Sequence, residues 1–300
     1  MEQNNLELAK SRDFSDLISD TFQFIRENFK PLIKCFFVLC GFFLVAGFVL
    51  TFMQQLKIVN ITSSVAGNPN DYDTPTPATA FSRLFGWQYF ITILFQLLTY
   101  TVMTIVVISY MAIYRAKGNK PATVEEVWGY LKYYIFRIYF VGLLLAVLLF
   151  LALICCIVPG VWLYPIVGIM FPIMIVENAG LGYAFGQGFK LIKGHWWNTF
   201  GAQFISYVIA LIALMVIVVP VSLLALGSMY LRPNMSNVSA PFLAIYLAFG
   251  QIGHVLYIIP LVTVGLCYFS LNEMKEGTGL MERINQMGND NTPDLPAEQY

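Results

Sequence analysis

The chain alternates between long apolar runs and shorter segments in which apolar residues recur at helical spacing among charges. A bilayer core about 30 Å thick takes about 20 apolar residues in a helix, because in hydrocarbon the backbone must close its own hydrogen bonds. Runs at about 31–56, 87–114, 138–158, 197–226 and 242–271 meet that length. A sixth, 161–176, is shorter, carries Pro165 and Pro172, and follows the third across Pro159-Gly160. It reads either as a second pass joined by a hairpin turn at Pro159-Gly160 or as a re-entrant loop. Residues 139–176 together are long enough for two passes at 1.5 Å per residue, which favours the hairpin.

Three other segments are amphipathic. Phe14, Leu17, Ile18, Thr21, Phe22, Ile25 and Phe29 form one helical stripe, which predicts a helix lying in the headgroup plane, aromatic face down, with Asp13 as its cap. A second opens at Thr123-Val124-Glu125-Glu126, the Thr-x-x-Glu pattern of a capping box, and continues through Trp128, Leu131, Tyr134 and Ile135. The third, Leu181 to Lys193, is glycine-rich and ends in Gly194-His195-Trp196-Trp197, which places Trp196 and Trp197 at an interface. All three share an order of aromatic, any, apolar, apolar, basic, then an apolar residue one turn on. This reads either as three helix-hairpin repeats or as the common look of a basic amphipathic helix before a span.

The fold class expected is all-α: a polytopic membrane protein with six transmembrane helices and three interfacial amphipathic helices. Residues 1–30 form an N-terminal amphipathic unit, 31–271 the membrane domain and 272–300 a charged, disordered tail.

Composition agrees. Of 300 residues, 58% are hydrophobic and 11% charged, against about 25% charged in an ordinary soluble domain. Net charge is zero, and nothing provides the basic face a nucleic-acid partner needs. Charge is nevertheless unevenly placed. With the N-terminus inside, only Lys57, Arg83 and Arg232 of the 17 Lys and Arg fall outside, a distribution that puts both termini in the cytoplasm and requires an even number of spans. About thirty polar and amphipathic residues precede the first apolar run, unlike a secretory signal peptide. The loops at 57–86 and 227–241 then face outward, and they hold glycosylation-like triplets at Asn60, Asn234 and Asn237 that arise easily by chance. All five cysteines (Cys35, Cys40, Cys155, Cys156, Cys267) lie in apolar runs as small hydrophobes, with no metal or redox spacing.

Candidate chemistry is sparse. There are two histidines, no HExxH and no glycine-rich phosphate loop, so neither a catalytic residue set, a metal site nor a cofactor is expected. Intramembrane polar candidates are Gln96, Gln203, Gln251 and His254; the last two share a helix face, with Gly250 and Gly253 beside them. Each reads as a structural hydrogen-bonding group or as part of a transport path. At the interface, Glu177 is expected as an anchor near Lys190 and Lys193, beside Trp196 and Trp197.

Pro159-Gly160-Val161-Trp162-Leu163, then Pro172, Glu177, Gly180, Ala184, Leu191, Lys193-Gly194 and Trp197, form a pattern that resembles a known family. It is similar to the membrane domain found N-terminal to some bacterial glycerophosphoryl diester phosphodiesterases, and to related stand-alone membrane families of unknown function. The likeness is carried by residues 140–215. This chain has Gly186-Gln187-Gly188 where that family expects a Ser. The resemblance implies a six-helix protein of the bacterial cytoplasmic membrane, with Pro159, Gly160, Glu177, Gly194 and Trp197 as motif residues. It does not imply the phosphodiesterase activity, which needs a barrel of about 250 residues.

Three functions are therefore open: a non-catalytic module that interacts with membrane lipids, anionic ones included, or with an unidentified protein partner; a transporter of a small solute or lipid; and a membrane-embedded enzyme. The first is favoured, since convergent acids and ligands are missing. Topology is directly testable. Single cysteines introduced at residue 10 or 290 of a cysteine-free chain should stay unlabelled by an impermeant thiol reagent in intact cells, and labelling at either would overturn the orientation.

Overall fold

The computed structural model describes residues 6–65, 79, 81–82, 85–155, 157–231 and 240–277. Every regular element among them is helical: α1 (Phe14–Glu27), α2 (Phe29–Val65), α3 (Trp87–Ala116), α4 (Val124–Cys155), α5 (Ile157–Val176), α6 (Leu181–Ile192), α7 (Trp196–Leu231), α8 (Ala240–Ile252), a 3-10 turn (Gly253–Tyr257) and α9 (Ile258–Glu276). Six stretches are long and apolar enough to cross a membrane, the sixth built from α8, the 3-10 turn and α9. Most of both expected outer loops, Asn234, Asn237, Cys156 and the tail beyond 277 lie outside the described residues.

Several boundaries differ from the sequence expectation. α2 continues to Val65 instead of ending near 56, so Lys57 and Asn60 are helical. The first proline after Pro31 is Pro69, in Gly67-Asn68-Pro69, and the polar residues before it are compatible with backbone bonding from i to i−4. α4 ends at Cys155 and α5 begins at Ile157, so Pro159 and Gly160 belong to the first turn of α5 and not to the connection expected there. Proline suits that position: it has a helical φ, and the N–H it lacks would have had no partner there. Gly160 is crowded, since a Cβ on it would sit 2.6 Å from Leu153 Cδ2 of α4. α5 therefore has 20 residues, enough for a full pass, and it runs helically through Pro165 and Pro172. The expected second surface helix and third span are one continuous α4.

The sixth span is interrupted at Gly253–Tyr257 where an unbroken helix was expected. Pro260 leaves the Leu256 carbonyl without its helical donor and crowds it, so the backbone just before it tightens. Gly253 lies where a Cβ would clash with Leu214 Cδ1 of α7.

The core centres on α3 and α9. α3 is buried on all faces from Ile105 to Met111, packed by α2, α4, α5 and α9. At Gly265 of α9 a Cβ would come 2.5 Å from Met111 Sδ, so the missing side chain is what lets the two helices close.

α1 does not leave its stripe free for lipid. Leu17, Thr21, Phe24 and Asn28, at spacings of four, three and four, are buried, and α1 packs against α9, α7 and α2. Phe22 and Phe29, which the stripe had included, are exposed, whereas Phe24 is fully buried edge-on to Tyr110 and Tyr114. The seam is polar where it must be. Thr21 and Thr263 hydroxyls lie 3.1 Å apart, and Tyr110 donates to Asn28 Oδ1 at 3.0 Å. Asp13 occupies the cap position with no side-chain cap bond. Glu126 accepts from the Thr123 N–H at 2.9 Å, one half of the expected capping box. α6 likewise covers its face with α5: Gly188 lies against Ile166 and Met170.

Ahead of α1 the chain is pinned by Arg12. Its side chain is fully buried; Nε donates to Asp20 Oδ2 at 2.7 Å, Nη1 to the carbonyls of Leu8 (2.7 Å) and Lys10 (3.0 Å), and Nη2 to that of Glu7. Its backbone N–H donates to Ser270 Oγ of α9 at 2.9 Å. Removing the guanidinium strands a carboxylate and three carbonyls. Arg12→Met should lower unfolding free energy by about 3 kcal/mol and expose the segment around Leu8 to protease in detergent solution. Lys190→Met, on an exposed side chain, should change stability by less than about 0.5 kcal/mol.

Candidate functional site

The intramembrane polar residues converge only in part. The 3-10 turn carries His254 toward α3, where its Nε2 lies 2.9 Å from Gln96 Nε2. Its Nδ1 lies 3.1 Å from the Gly250 carbonyl and 3.2 Å from the Gln251 carbonyl. Carbonyl oxygens only accept, so Nδ1 carries the proton, Nε2 accepts from the Gln96 amide, and the imidazole is neutral. Both carbonyls stand one turn back on the same span, so this nitrogen bonds to its own backbone. Aromatic rings close over the pair: Tyr100 and Tyr257 lie 5.8 Å from His254, centroid to centroid, and Tyr207 of α7 lies 6.2 Å from Tyr257. The crevice beside them, between Tyr207, Leu214, Gly253 and Tyr257, is too tight to admit a water molecule.

Gln251 and Gln203 point elsewhere. Gln251 Nε2 lies near Gly47 of α2, 3.8 Å from where a Cβ would stand. Gln203 of α7 is buried against Gly168 of α5, where a Cβ would come 2.9 Å from its Oε1. Its Nε2 has no partner among the described residues.

The interfacial candidates form contacts other than those expected. Glu177 accepts from the Tyr268 hydroxyl of α9 at 2.8 Å, and among the described residues it makes no ion pair with Lys190 or Lys193. The reason is geometric: Glu177 follows α5 directly, and α5 packs on α9, whereas Lys190 projects from α6 into the open. Lys193 caps α6, and its carbonyl accepts from Lys275 Nζ at 3.2 Å. Gly194 takes φ +90°, a conformation open mainly to glycine, and turns the chain from α6 into α7. Trp196 Nε1 donates to the Trp162 carbonyl at 3.1 Å, and its ring stacks on Phe200. Trp197 is exposed and meets Trp196 edge-on. Gly160 and Pro159 serve the start of α5, as described above.

In sequence Arg12 is simply one of the Lys and Arg on the cytoplasmic side, and nothing there marks it as buried. The Asn28 and Tyr110 pair is likewise unmarked. The one available signal was position: Thr21, Phe24 and Asn28 continue the three-and-four spacing from Phe14 and Leu17.

Chemically, this arrangement bonds helices to one another. Among the described residues no group of three or more His, Cys, Asp or Glu is placed to hold a metal ion. No protein-family model, no curated protein and no solved structure matches the chain.

The His254 and Gln96 bond gives a quantitative test. His254→Gln keeps a group of similar reach and should cost about 0.6 kcal/mol, the average for such bonds in membranes. His254→Leu strands the Gln96 amide and should cost about 1–3 kcal/mol, most of it regained in Gln96→Leu/His254→Leu. Unfolding of the parent, Gln96→Leu, His254→Leu and Gln96→Leu/His254→Leu in one detergent checks this; strictly additive losses would mean the two residues are not coupled.

Proposed function

We propose that this chain is a non-catalytic multi-pass protein of a bacterial cytoplasmic membrane, both ends cytoplasmic, that acts by presenting helix surfaces to lipids or to a partner protein. The observation that carries the reading is the Gln96 and His254 bond: the two groups best suited to a path through the membrane satisfy each other, with their other contacts made to backbone and aromatic rings. The outward faces support it as well. The most apolar windows of α4 and α7 are only 11% buried, against 56% for the sixth span. On α4, Phe136, Phe140, Leu144, Val147 and Leu151 form one continuous exposed stripe. The skewed distribution of Lys and Arg supports the orientation. The resemblance over residues 140–215 supports kinship with the membrane domain that accompanies bacterial glycerophosphoryl diester phosphodiesterases, without that enzyme's chemistry.

A second reading, transport, is favoured by one observation: the sixth span breaks at His254, and discontinuous helices beside polar groups are how many transporters build a site. The two separate cleanly. Proteoliposomes of the purified chain should dissipate an imposed pH gradient no faster than empty vesicles, with His254→Gln indistinguishable from the parent. A leak or a proton-coupled uptake that His254→Gln abolishes, at unchanged protein content, would put transport first, because glutamine cannot titrate.

A further inference from the structure

The bundle has an apolar-lined groove of about 310 Å³ between α2 and α4. Its walls are Val38, Phe42 and Phe43 of α2 and Trp128, Leu131 and Ile135 of α4. Val38 and Phe42 are 59% and 73% exposed, although both lie in a helix apolar enough to cross a membrane. On α2 the stripe continues through Val45, Val49 and Met53, all exposed, at spacings of three to four. At 1.5 Å per residue, Val38 to Met53 spans about 22 Å, more than the roughly 15 Å depth of one leaflet. An acyl chain seated in the groove can therefore continue along this exposed stripe of α2 toward the middle of the bilayer.

One end of the groove is basic. Lys132 lines it, and its Nζ lies 5.0 Å above the Trp128 ring, one turn back toward the start of α4. A lysine that bends this way keeps its stem on apolar surface and its charge at the headgroup level. Lys34 is exposed and stands one turn before Val38, on the same face of α2. Among the described residues Lys34 and Lys132 enter no ion pair. Trp128, 44% exposed, adds an indole N–H donor at the same level.

Two cations and an aromatic donor above an apolar channel complement an anion that carries a long hydrocarbon chain. We propose that this groove binds one anionic glycerophospholipid, its phosphate against Lys34, Lys132 and Trp128 and one acyl chain along Val38, Phe42 and Phe43. The proposal deepens the lipid-binding reading and rests on it, since this end must face the leaflet that supplies anionic headgroups. It differs from diffuse attraction of the whole basic surface, because it names two of the lysines and a shape.

The test is native mass spectrometry of the purified full chain in detergent, titrated with phosphatidylglycerol and phosphatidylcholine of identical acyl chains. The parent should bind phosphatidylglycerol at least tenfold more tightly. Lys34→Gln/Lys132→Gln should lose about tenfold of that affinity or more, since each such charge near a membrane surface contributes appreciably. Lys190→Gln/Lys193→Gln should stay within twofold. Val38→Trp, which narrows the channel and keeps every charge, should also lower occupancy. All four substituted side chains in these two doubles are exposed, so monodisperse elution and unchanged melting are expected of both. Equal losses in the two doubles, or no loss in Lys34→Gln/Lys132→Gln, would overturn the groove and leave general anionic attraction standing. A parent with no preference for phosphatidylglycerol would overturn both.

Discussion

An unpaired hydrogen-bonding group inside a bilayer has no water to turn to, and the structure is organised by that constraint. It makes every described span helical, and it sends side chains in search of partners across helices. His254 finds Gln96. Thr21 finds Thr263, and Tyr110 finds Asn28. Where no helix offers a partner, the side chain turns to its own backbone, as Thr99, Thr101 and Thr104 do in α3 by donating one turn back. Exceptions are few: Gln54, Ser109 Oγ, Gln203 Nε2 and Asn272 Oδ1 are buried without a partner among the described residues.

Packing is uneven in a way that bears on function. Around α3 and α9 the helices close tightly, helped by Gly265, and this end is locked further by α1, by Arg12 and by the Glu177 and Tyr268 bond. Since lipid tails are as apolar as leucine, such closeness owes more to fit and to hydrogen bonds than to hydrophobic driving force. α4 and α7 turn most of their apolar surface outward.

Polar residues in spans carry two meanings that sequence does not separate. His254 beside Gln251 on one helix face resembles a site in the making, and so does a proline-broken span. The 3-10 turn changes the direction of the imidazole, so that it meets Gln96, which is 158 residues away, while Gln251 turns toward Gly47. Neighbours on one helix thus end in separate environments.

By itself the sequence determined what depends on composition and period. Six apolar stretches, the helical character of the amphipathic segments and the helix-starting Glu126 follow from residue order alone, because length and spacing act locally. Only the tertiary structure decided which side of each helix is covered. The stripe of α1 predicted contact with lipid; the bundle buried Phe24 and Thr21 and left Phe22 and Phe29 outside, since a helix can rotate to the face its neighbours complement. Arg12 is one cytoplasmic-side charge among many in the sequence, and only the fold places three carbonyls and Asp20 around it. Glu177 was assigned to nearby lysines, but the partner it found lies on α9, 91 residues away in sequence. Such pairings depend on where distant segments meet, and no local pattern of residues encodes that distance.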